Sequence, residues 1–135
     1  MLVALRGGMT HAPGYQKSPE HRIRQAPEDR RVYAMVNGEI VADSSDVIRV
    51  EEDGSPVRYY FPRADVNLKT LERSDSTSHC PFKGRANYYA LNAGGKKLPD
   101  AVWTYEEPYE EHAGLKDRLA FYDDRHPTIT VRVAD

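Results

Sequence analysis

The chain has 135 residues, of which 30% are charged, and its formal net charge at pH 7 is -2. This length suits one domain, and the slightly acidic balance argues against strong, indiscriminate binding to nucleic-acid phosphates. The single cysteine excludes an internal disulfide and a zinc site built from several thiolates. No apolar run reaches the roughly 18 residues that a membrane span needs. We expect a cytoplasmic protein with neither nucleic-acid nor membrane partners.

The composition of the chain changes near residue 31. Residues 1–31 hold six Lys/Arg, three Asp/Glu and one aromatic residue, Tyr15, whereas the rest is acidic and rich in aromatics. A segment with few large apolar groups cannot bury enough surface to offset the entropy lost on ordering. We therefore predict a flexible leader over 1–18 and a single β-rich domain over 19–135, with 19–31 lying extended along it. The apolar part of the leader is too short for a secretory signal.

From residue 32 onward, apolar residues recur mostly at every second position, which is the period of a β-strand. The dipeptide Asn37-Gly38 separates two such runs and tolerates the backbone angles of a tight hairpin turn. This hairpin is expected to pair residues in two places, Met35 with Ile40 and Tyr33 with Ala42.

The same period predicts further strands at 47–51, 57–61, 86–91, 102–106, 119–122 and 128–133. Asp65 is predicted to cap a short helical segment at 65–72, residues 74–78 to form a loop, and 109–117 a loop or one helical turn. About eight short strands with one or two helical turns predict an all-β fold, either a sandwich or a barrel-like sheet.

One candidate site lies where a predicted loop enters the strand at 86–91. Cys80 and Lys83 occur there in the sequence His-Cys-Pro-Phe-Lys-Gly. A thiolate would be favoured if His79 or Lys83 lay beside it, which would make Cys80 a nucleophile. Cys80 also has a structural interpretation, because free cysteine is among the most buried residue types. Lys83 has little surface to cover between a proline turn and a glycine, which favours a role in binding an anionic or carbonyl group.

A second candidate site is aromatic. Trp103 and Tyr105 share one face of a predicted strand, and either Tyr88 or its neighbour could form another wall of a pocket. Tyr60 belongs to the same region, although only one of Tyr59 and Tyr60 can face inward. Ordinary core packing is the alternative, but nine tyrosines against three phenylalanines favour polar groups inside a cavity, since a buried Tyr hydroxyl needs a partner.

Two carboxylates complete the candidate residues. Asp65 is either a helix cap or a general acid or base. Glu51 lies on a predicted strand beside apolar residues and could be a buried carboxylate of the pocket. The five histidines are scattered without the spacing of metal ligands, and the glycines form no phosphate-binding loop. We predict no metal and no other cofactor.

Several motifs follow one another along the chain: Asn37-Gly38 with Val41-Ala42-Asp43-Ser44, Tyr60-Phe61-Pro62 with Asp65-Val66, Cys80-Pro81-Phe82-Lys83-Gly84 with Tyr88-Tyr89, Trp103-Thr104-Tyr105-Glu106, and Leu119-Ala120-Phe121-Tyr122. This series closely resembles domain of unknown function 427 (DUF427), a family also labelled nucleotidyltransferase-like. The resemblance implies a small β-tent domain, similar in architecture to the B-type methionine sulfoxide reductases and the thalidomide-binding domain. The zinc of some proteins with that architecture is not implied, because the chain lacks their paired Cys-x-x-Cys motifs.

The first functional hypothesis is a module that binds an unidentified small molecule. Trp103, Tyr105, Tyr88 and Tyr60 would supply the walls of the pocket, with Lys83, Asp65 and Glu51 as polar groups. The alternatives are a small enzyme and a protein-interaction domain. The enzyme would use Cys80 as nucleophile with Lys83 or Asp65 in support, or the transferase activity that the family label implies. Unpaired strand edges could also join two copies in a homodimer.

Overall fold

The computed structural model of the chain describes residues 10–134 and consists mainly of β-strands. The strands are β1 (Ile23–Glu28), β2 (Val32–Val36), β3 (Glu39–Ser44), β4 (Val47–Glu52), β5 (Arg58–Tyr60), β6 (Leu71–Cys80), β7 (Gly84–Ala93), β8 (Lys96–Tyr105), β9 (Leu119–Phe121) and β10 (Ile129–Val133). The helical segments are short: α1 (Gly14–Lys17) and the 3₁₀ segments Arg63–Asp65, Leu68–Thr70 and Glu110–Leu115. The prediction of an all-β fold is confirmed.

The strands form three antiparallel sheets, in the orders β1-β4-β5, β10-β2-β3 and β6-β7-β8-β9. Within residues 10–134 these sheets do not close into one barrel. The β-tent architecture implied by the resemblance stays a prediction. None of the helices in this part of the chain is long and apolar enough to cross a membrane.

Two hydrophobic clusters lie between the sheets, and consecutive residues at the end of β5 contribute to both. Phe61 belongs to the larger cluster, with β2, β3 and the far ends of β7 and β8. Tyr60 belongs to the smaller cluster, with Trp103 and Tyr105 of β8. Because successive side chains of an extended chain point to opposite sides, one short strand serves both clusters. Tyr60, and not Tyr59, is the member of its pair that faces the aromatic side chains of β8.

The predicted hairpin forms, and half of its predicted register is right. Met35 pairs with Ile40, but Tyr33 lies opposite Asp43 instead of Ala42. The register shifts between Ala34 and Met35, as at a β-bulge, so every pair beyond that point is displaced by one residue.

Two segments with little apolar character are strands, although neither was predicted to be one. The predicted loop at 74–78 is wrong, because these residues lie within β6, which pairs with β7 at one edge of its sheet. Residues 23–28 form β1, an edge strand that pairs with β4. Pro27 is compatible with β1 because an edge strand has one side on which no backbone N–H is needed.

The predicted leader falls partly within the described residues, and this part contacts the domain. The backbone N–H of Gly14 donates to the carbonyl of Pro81 at 2.9 Å, and the hydroxyl of Tyr15 lies 2.8 Å from Nε2 of His112. A Cβ atom at position 14 would lie 2.8 Å from the Phe82 ring, so glycine permits this close approach. Residues 1–9 lie outside the described part, and the leader boundary at residue 18 stays a prediction.

Candidate functional site

A cavity of about 140 Å³ opens beside the smaller hydrophobic cluster. We call it the aromatic cavity; it is lined by Val50, Glu52, Ser55, Pro56, Arg58, Tyr60, Lys83, Trp103, Tyr105 and Tyr122. The lining comes from β4, β5 and β8, from the turn between β4 and β5, from the loop before β7, and from Tyr122 directly after β9. Residues distant in sequence, around positions 52, 83 and 103, therefore share one space.

The aromatic wall follows from the alternation of β8, which directs Trp103 and Tyr105 to the same face of the sheet. The indole N–H of Trp103 donates to the Tyr60 hydroxyl at 3.2 Å, and the two rings meet edge to face at 6.0 Å. Tyr122 lies against the other side of the indole, with ring centroids 4.1 Å apart. These contacts fix the orientation of the indole at the cavity.

The Tyr105 hydroxyl is the unused polar group of this wall. Tyr105 is 6% exposed, yet its hydroxyl makes no hydrogen bond with any residue in the described part of the chain. This oxygen keeps some solvent exposure, so it is accessible from the cavity. Burial, with a smaller effect of Tyr60, raises the pKa of Tyr105 far above its ordinary value. The hydroxyl therefore keeps its proton and is available to donate.

Lys83 and Glu52 supply the charges of the cavity. The Lys83 side chain is almost completely buried, and its ammonium donates to a Glu52 carboxylate oxygen. The other Glu52 oxygen lies 2.9 Å from Nε2 of His21. Burial by itself raises the pKa of Glu52, but the hydrogen bonds from Lys83 and His21 outweigh it, and the pKa lies below its ordinary value. Glu52 is therefore an anion at neutral pH.

The backbone around Lys83 is held from two sides. Its carbonyl accepts a hydrogen bond from the N–H of Tyr109 at 3.0 Å. Gly84 has a φ of +121°, and a Cβ atom there would lie 3.2 Å from the Glu107 carbonyl oxygen. The glycine thus provides both the left-handed conformation and the close approach that turn Lys83 into the cavity.

The preceding residue, Phe82, lies between two rings of the N-terminal segment. His21 stacks on it with centroids 4.3 Å apart, and Tyr15 meets it edge-on at 4.9 Å. His21 therefore contacts Phe82 through its ring and Glu52 through its nitrogen. This links the N-terminal segment to Glu52 and to the residue that precedes Lys83.

Arg58 lies at the edge of the aromatic wall. Its guanidinium carbon is 5.2 Å from the ring centroids of both Trp103 and Tyr122. Two of its nitrogens donate to the Asp124 carboxylate, at 3.0 and 3.1 Å. The hydrogen bonds from Arg58 hold the pKa of Asp124 below its ordinary value. This bidentate pair fixes the guanidinium over the rings.

Four of the sequence-predicted residues line the aromatic cavity: Lys83, Trp103, Tyr105 and Tyr60. Tyr88 lies next to it, stacked on Tyr122 with centroids 6.3 Å apart.

Cys80 packs against the same aromatic cluster without appearing in the cavity lining. The His79 ring lies 2.7 Å from the Tyr109 hydroxyl, on the face of β6 opposite to Cys80. No hydrogen bond within residues 10–134 joins the Cys80 thiol to His79 or Lys83. The arrangement thus lacks the adjacent base that would activate the thiol.

The structure places two predicted residues away from the aromatic cavity. Asp65 ends a 3₁₀ segment and accepts a hydrogen bond from Ser44 at 2.6 Å, so its predicted role as helix cap is wrong. The cap of the next 3₁₀ segment is Asn67. Glu51 points to the opposite side of β4 from Glu52, pairs with Arg49 at 3.4 Å, and lines an adjoining groove.

Sequence reasoning missed Glu52, Arg58, Tyr122 and His21. The signal for Glu52 was present, because Val50 and Glu52 alternate on one face of β4, opposite to Glu51. Arg58 similarly alternates with Tyr60 on β5. His21 has no comparable signal, since its contact with Glu52 depends on how β1 is placed beside β4.

The comparison with protein families identifies one match. A family model described as a domain of unknown function (DUF427) matches residues 24–132, which include every residue of the aromatic cavity. No curated protein matches the chain. Within residues 10–134, no three His, Cys, Asp or Glu side chains cluster as they would to hold a metal ion. The chain belongs to the DUF427 family.

Proposed function

We propose that the protein binds a small planar molecule in the aromatic cavity, between Trp103 and the Lys83–Glu52 ion pair. The observation that carries this proposal is the meeting of three features in one space: an oriented indole, an accessible Tyr105 hydroxyl without a partner, and a shielded pair of charges. Ligand sites typically combine apolar walls with a few placed polar groups. The cavity has this composition.

The size of the cavity limits the class of ligand. A volume of about 140 Å³ is comparable to that of cavities that hold benzene, so one ring fits inside. Lys83 and Tyr105 offer hydrogen-bond donors, and Glu52 offers carboxylate oxygens with lone pairs to spare. A ring that carries both a carbonyl and an N–H, such as a cyclic imide or a uracil-like heterocycle, matches these groups.

A larger ligand would extend into the adjoining groove. This groove has a volume of about 220 Å³ and shares Glu52 and Ser55 with the aromatic cavity. Arg22 and Arg24 line it, but so do the carboxylates of residues 51–53. That balance of charge does not favour a triphosphate. It makes the nucleotidyltransferase-like activity a weaker candidate than the binding of a neutral or singly charged ring.

The proposal is tested by a thermal-shift screen against uracil, succinimide, glutarimide, nucleotides and amino-acid derivatives. Trp103 is the only tryptophan, so its fluorescence reports on binding in the same samples. A ligand at about 100 times its dissociation constant adds about 2.7 kcal/mol of stability, which a melting curve resolves. We expect at least one ring compound to stabilise the protein and to change the Trp103 emission saturably.

The matched variants are Lys83→Met in the aromatic cavity and Lys97→Met, which removes an exposed lysine on β8. Binding should be lost or strongly weakened in Lys83→Met and kept in Lys97→Met. The proposal fails if no compound stabilises the wild type, or if Lys83→Met and Tyr105→Phe are folded and bind as the wild type does.

A further inference from the structure

A second cavity, of about 270 Å³, lies on the other side of the β6-β7-β8-β9 sheet. Strand β7 separates the two cavities. Its residues Ala86 and Tyr88 belong to the cluster beside the aromatic cavity, whereas Arg85 and Asn87 line the second cavity. Because these side chains alternate across the sheet, a ligand in one cavity does not touch the other.

Asn87 is a buried polar side chain without a partner. It is 7% exposed, and its Oδ1 atom is closed off from solvent and makes no hydrogen bond with any residue from 10 to 134. Its cross-strand neighbour Thr104 is fully buried, and the Thr104 hydroxyl also has no partner in this part of the chain. Nearly all buried polar atoms in folded proteins are hydrogen-bonded, and each exception calls for an explanation. The amide nitrogen of Asn87 makes no hydrogen bond within the described residues either and, unlike Oδ1, keeps some solvent exposure, so it can donate to a molecule in the second cavity.

Two side chains of opposite charge flank Asn87. Neither the Arg85 nor the Glu107 side chain makes a hydrogen bond or an ion pair with any residue from 10 to 134, although both residues line the second cavity. The other charged group nearby is neutralised, since Glu106 accepts from Arg73 at 2.6 Å. His79 is likewise occupied by the Tyr109 hydroxyl. The Arg85 guanidinium and the Glu107 carboxylate thus have no ion-pair partner among the described residues, although Arg85 also acts electrostatically on Glu106.

We propose that the second cavity binds a small zwitterion of the free amino acid type. The carboxylate of the ligand would pair with Arg85 and accept a hydrogen bond from the Asn87 amide N–H, and its ammonium would pair with Glu107. A molecule with only one charge would leave either Arg85 or Glu107 without a partner. The cavity volume of about 270 Å³ is just below the roughly 300–1,000 Å³ that is typical of sites for drug-sized ligands. The cavity therefore suits a smaller molecule such as a free amino acid. This inference is independent of the ligand of the aromatic cavity.

The test is a titration of ¹⁵N-labelled protein with each standard L-amino acid, followed by amide NMR. At least one amino acid should shift the backbone amides of Gly84 and Asn87 saturably, while the indole resonance of Trp103 stays in place. The amide and the N-acetyl derivative of that amino acid each lose one charge. Each should bind about tenfold more weakly or worse, because a charge-assisted hydrogen bond is lost.

Two substitutions of exposed residues complete the test without disturbing the core. Arg85→Gln and Glu107→Gln should abolish the shifts, whereas Arg132→Gln, an exposed arginine on β10, should not. The proposal is overturned if no amino acid moves Gly84 or Asn87, which would mean that the cavity holds only water. It is also overturned if Arg85→Gln binds as the wild type does, or if the charge-deleted derivatives bind equally well.

Discussion

The ammonium of Lys83 donates to the carboxylate of Glu52 across the wall of the aromatic cavity, although the two residues are 31 positions apart. Such a pair loses hydration when it is buried and often contributes little to stability compared with a packed apolar pair. Its presence beside an aromatic wall is in keeping with the proposed binding of a ligand. Substitutions at the pair separate a role in binding from a role in folding.

Lys83→Met should destabilise the protein by about 1–3 kcal/mol, because it leaves the half-buried Glu52 carboxylate with His21 as its remaining hydrogen-bond partner. The measurement is the free energy of unfolding in urea. Adding Glu52→Gln to Lys83→Met should recover part of the loss, since no unpaired charge then remains.

The control for this series is Lys97→Met. Its ammonium lies 3.3 Å from Glu72, and both side chains are more than half exposed. Exposed pairs of this kind contribute roughly 0.2–1 kcal/mol. Equal losses in Lys83→Met and Lys97→Met would contradict the distinction between the two ion pairs.

Two tyrosines of the cavity should respond differently when each hydroxyl is removed. Tyr60→Phe leaves the buried indole N–H of Trp103 without its acceptor and should cost about 1–3 kcal/mol. Tyr105→Phe removes a hydroxyl that has no partner in the described chain and should change stability by less than about 0.5 kcal/mol. Unfolding curves of the two variants measure both effects.

Tyr105→Phe should also affect ligand binding. Tyr105→Phe should weaken binding in the aromatic cavity by about tenfold, the loss expected for one hydrogen bond to the ligand. A Tyr105→Phe protein that is clearly less stable than the wild type, yet binds equally well, would show that this hydroxyl has a structural role instead.

His112 should make the protein sensitive to mild acid. Its Nε2 lies 2.8 Å from the Tyr15 hydroxyl, and its Nδ1 accepts from the Gln25 amide. Burial lowers the pKa of His112 below its ordinary 6.5, and the charge of Lys83 lowers it further. The unfolded chain therefore binds a proton at a higher pH than the folded protein does. Stability should be full above about pH 6.5 and decline as the pH falls through the folded pKa.

Denaturation curves at several pH values on either side of 6.5 measure this decline. His112→Asn should be less stable at neutral pH but lose less on acidification, whereas the exposed His11→Asn should keep the slope of the wild type. A wild-type slope in His112→Asn would mean that another group is responsible.

Cys80→Ser tests the thiol-dependent enzyme that the sequence left open. Because the Cys80 thiol has no base beside it in the described chain, it should react slowly with iodoacetamide near neutral pH. Ligand binding should persist in Cys80→Ser. Rapid alkylation near neutral pH that blocks binding would show that Cys80 is a reactive residue of the site.

The sequence predicted best those elements that have one buried face. The alternation along β2 follows from such a face, and the turn at Asn37-Gly38 is specified by local backbone preference. The burial pattern of β6 shows why it was missed. Most of its residues are exposed on both sides, so its strand conformation comes from pairing with β7 and leaves no apolar period.

The candidate site was predictable only in part, for a related reason. Trp103 and Tyr105 share one face of a predicted strand, and Lys83 lies between a proline turn and a glycine, so the local sequence predicted a role for each of them. Their partner Glu52 is one of three consecutive acidic residues, which usually form a solvated surface. Alternation along β4 separates Glu52 from Glu51, but only the three-dimensional pairing of β4 with β1 and β5 brings Glu52 to the aromatic cavity.

Binding in the aromatic cavity is measured most directly at the indole N–H resonance of Trp103, followed by NMR while small ring compounds are added. The chain has one tryptophan, so the spectrum contains a single indole signal from the wall of the cavity. We predict that a ring bearing both a carbonyl and an N–H shifts this signal saturably, and that the shift disappears in Lys83→Met. An indole signal that stays fixed for every ring compound, in a protein that is folded throughout, would contradict the account.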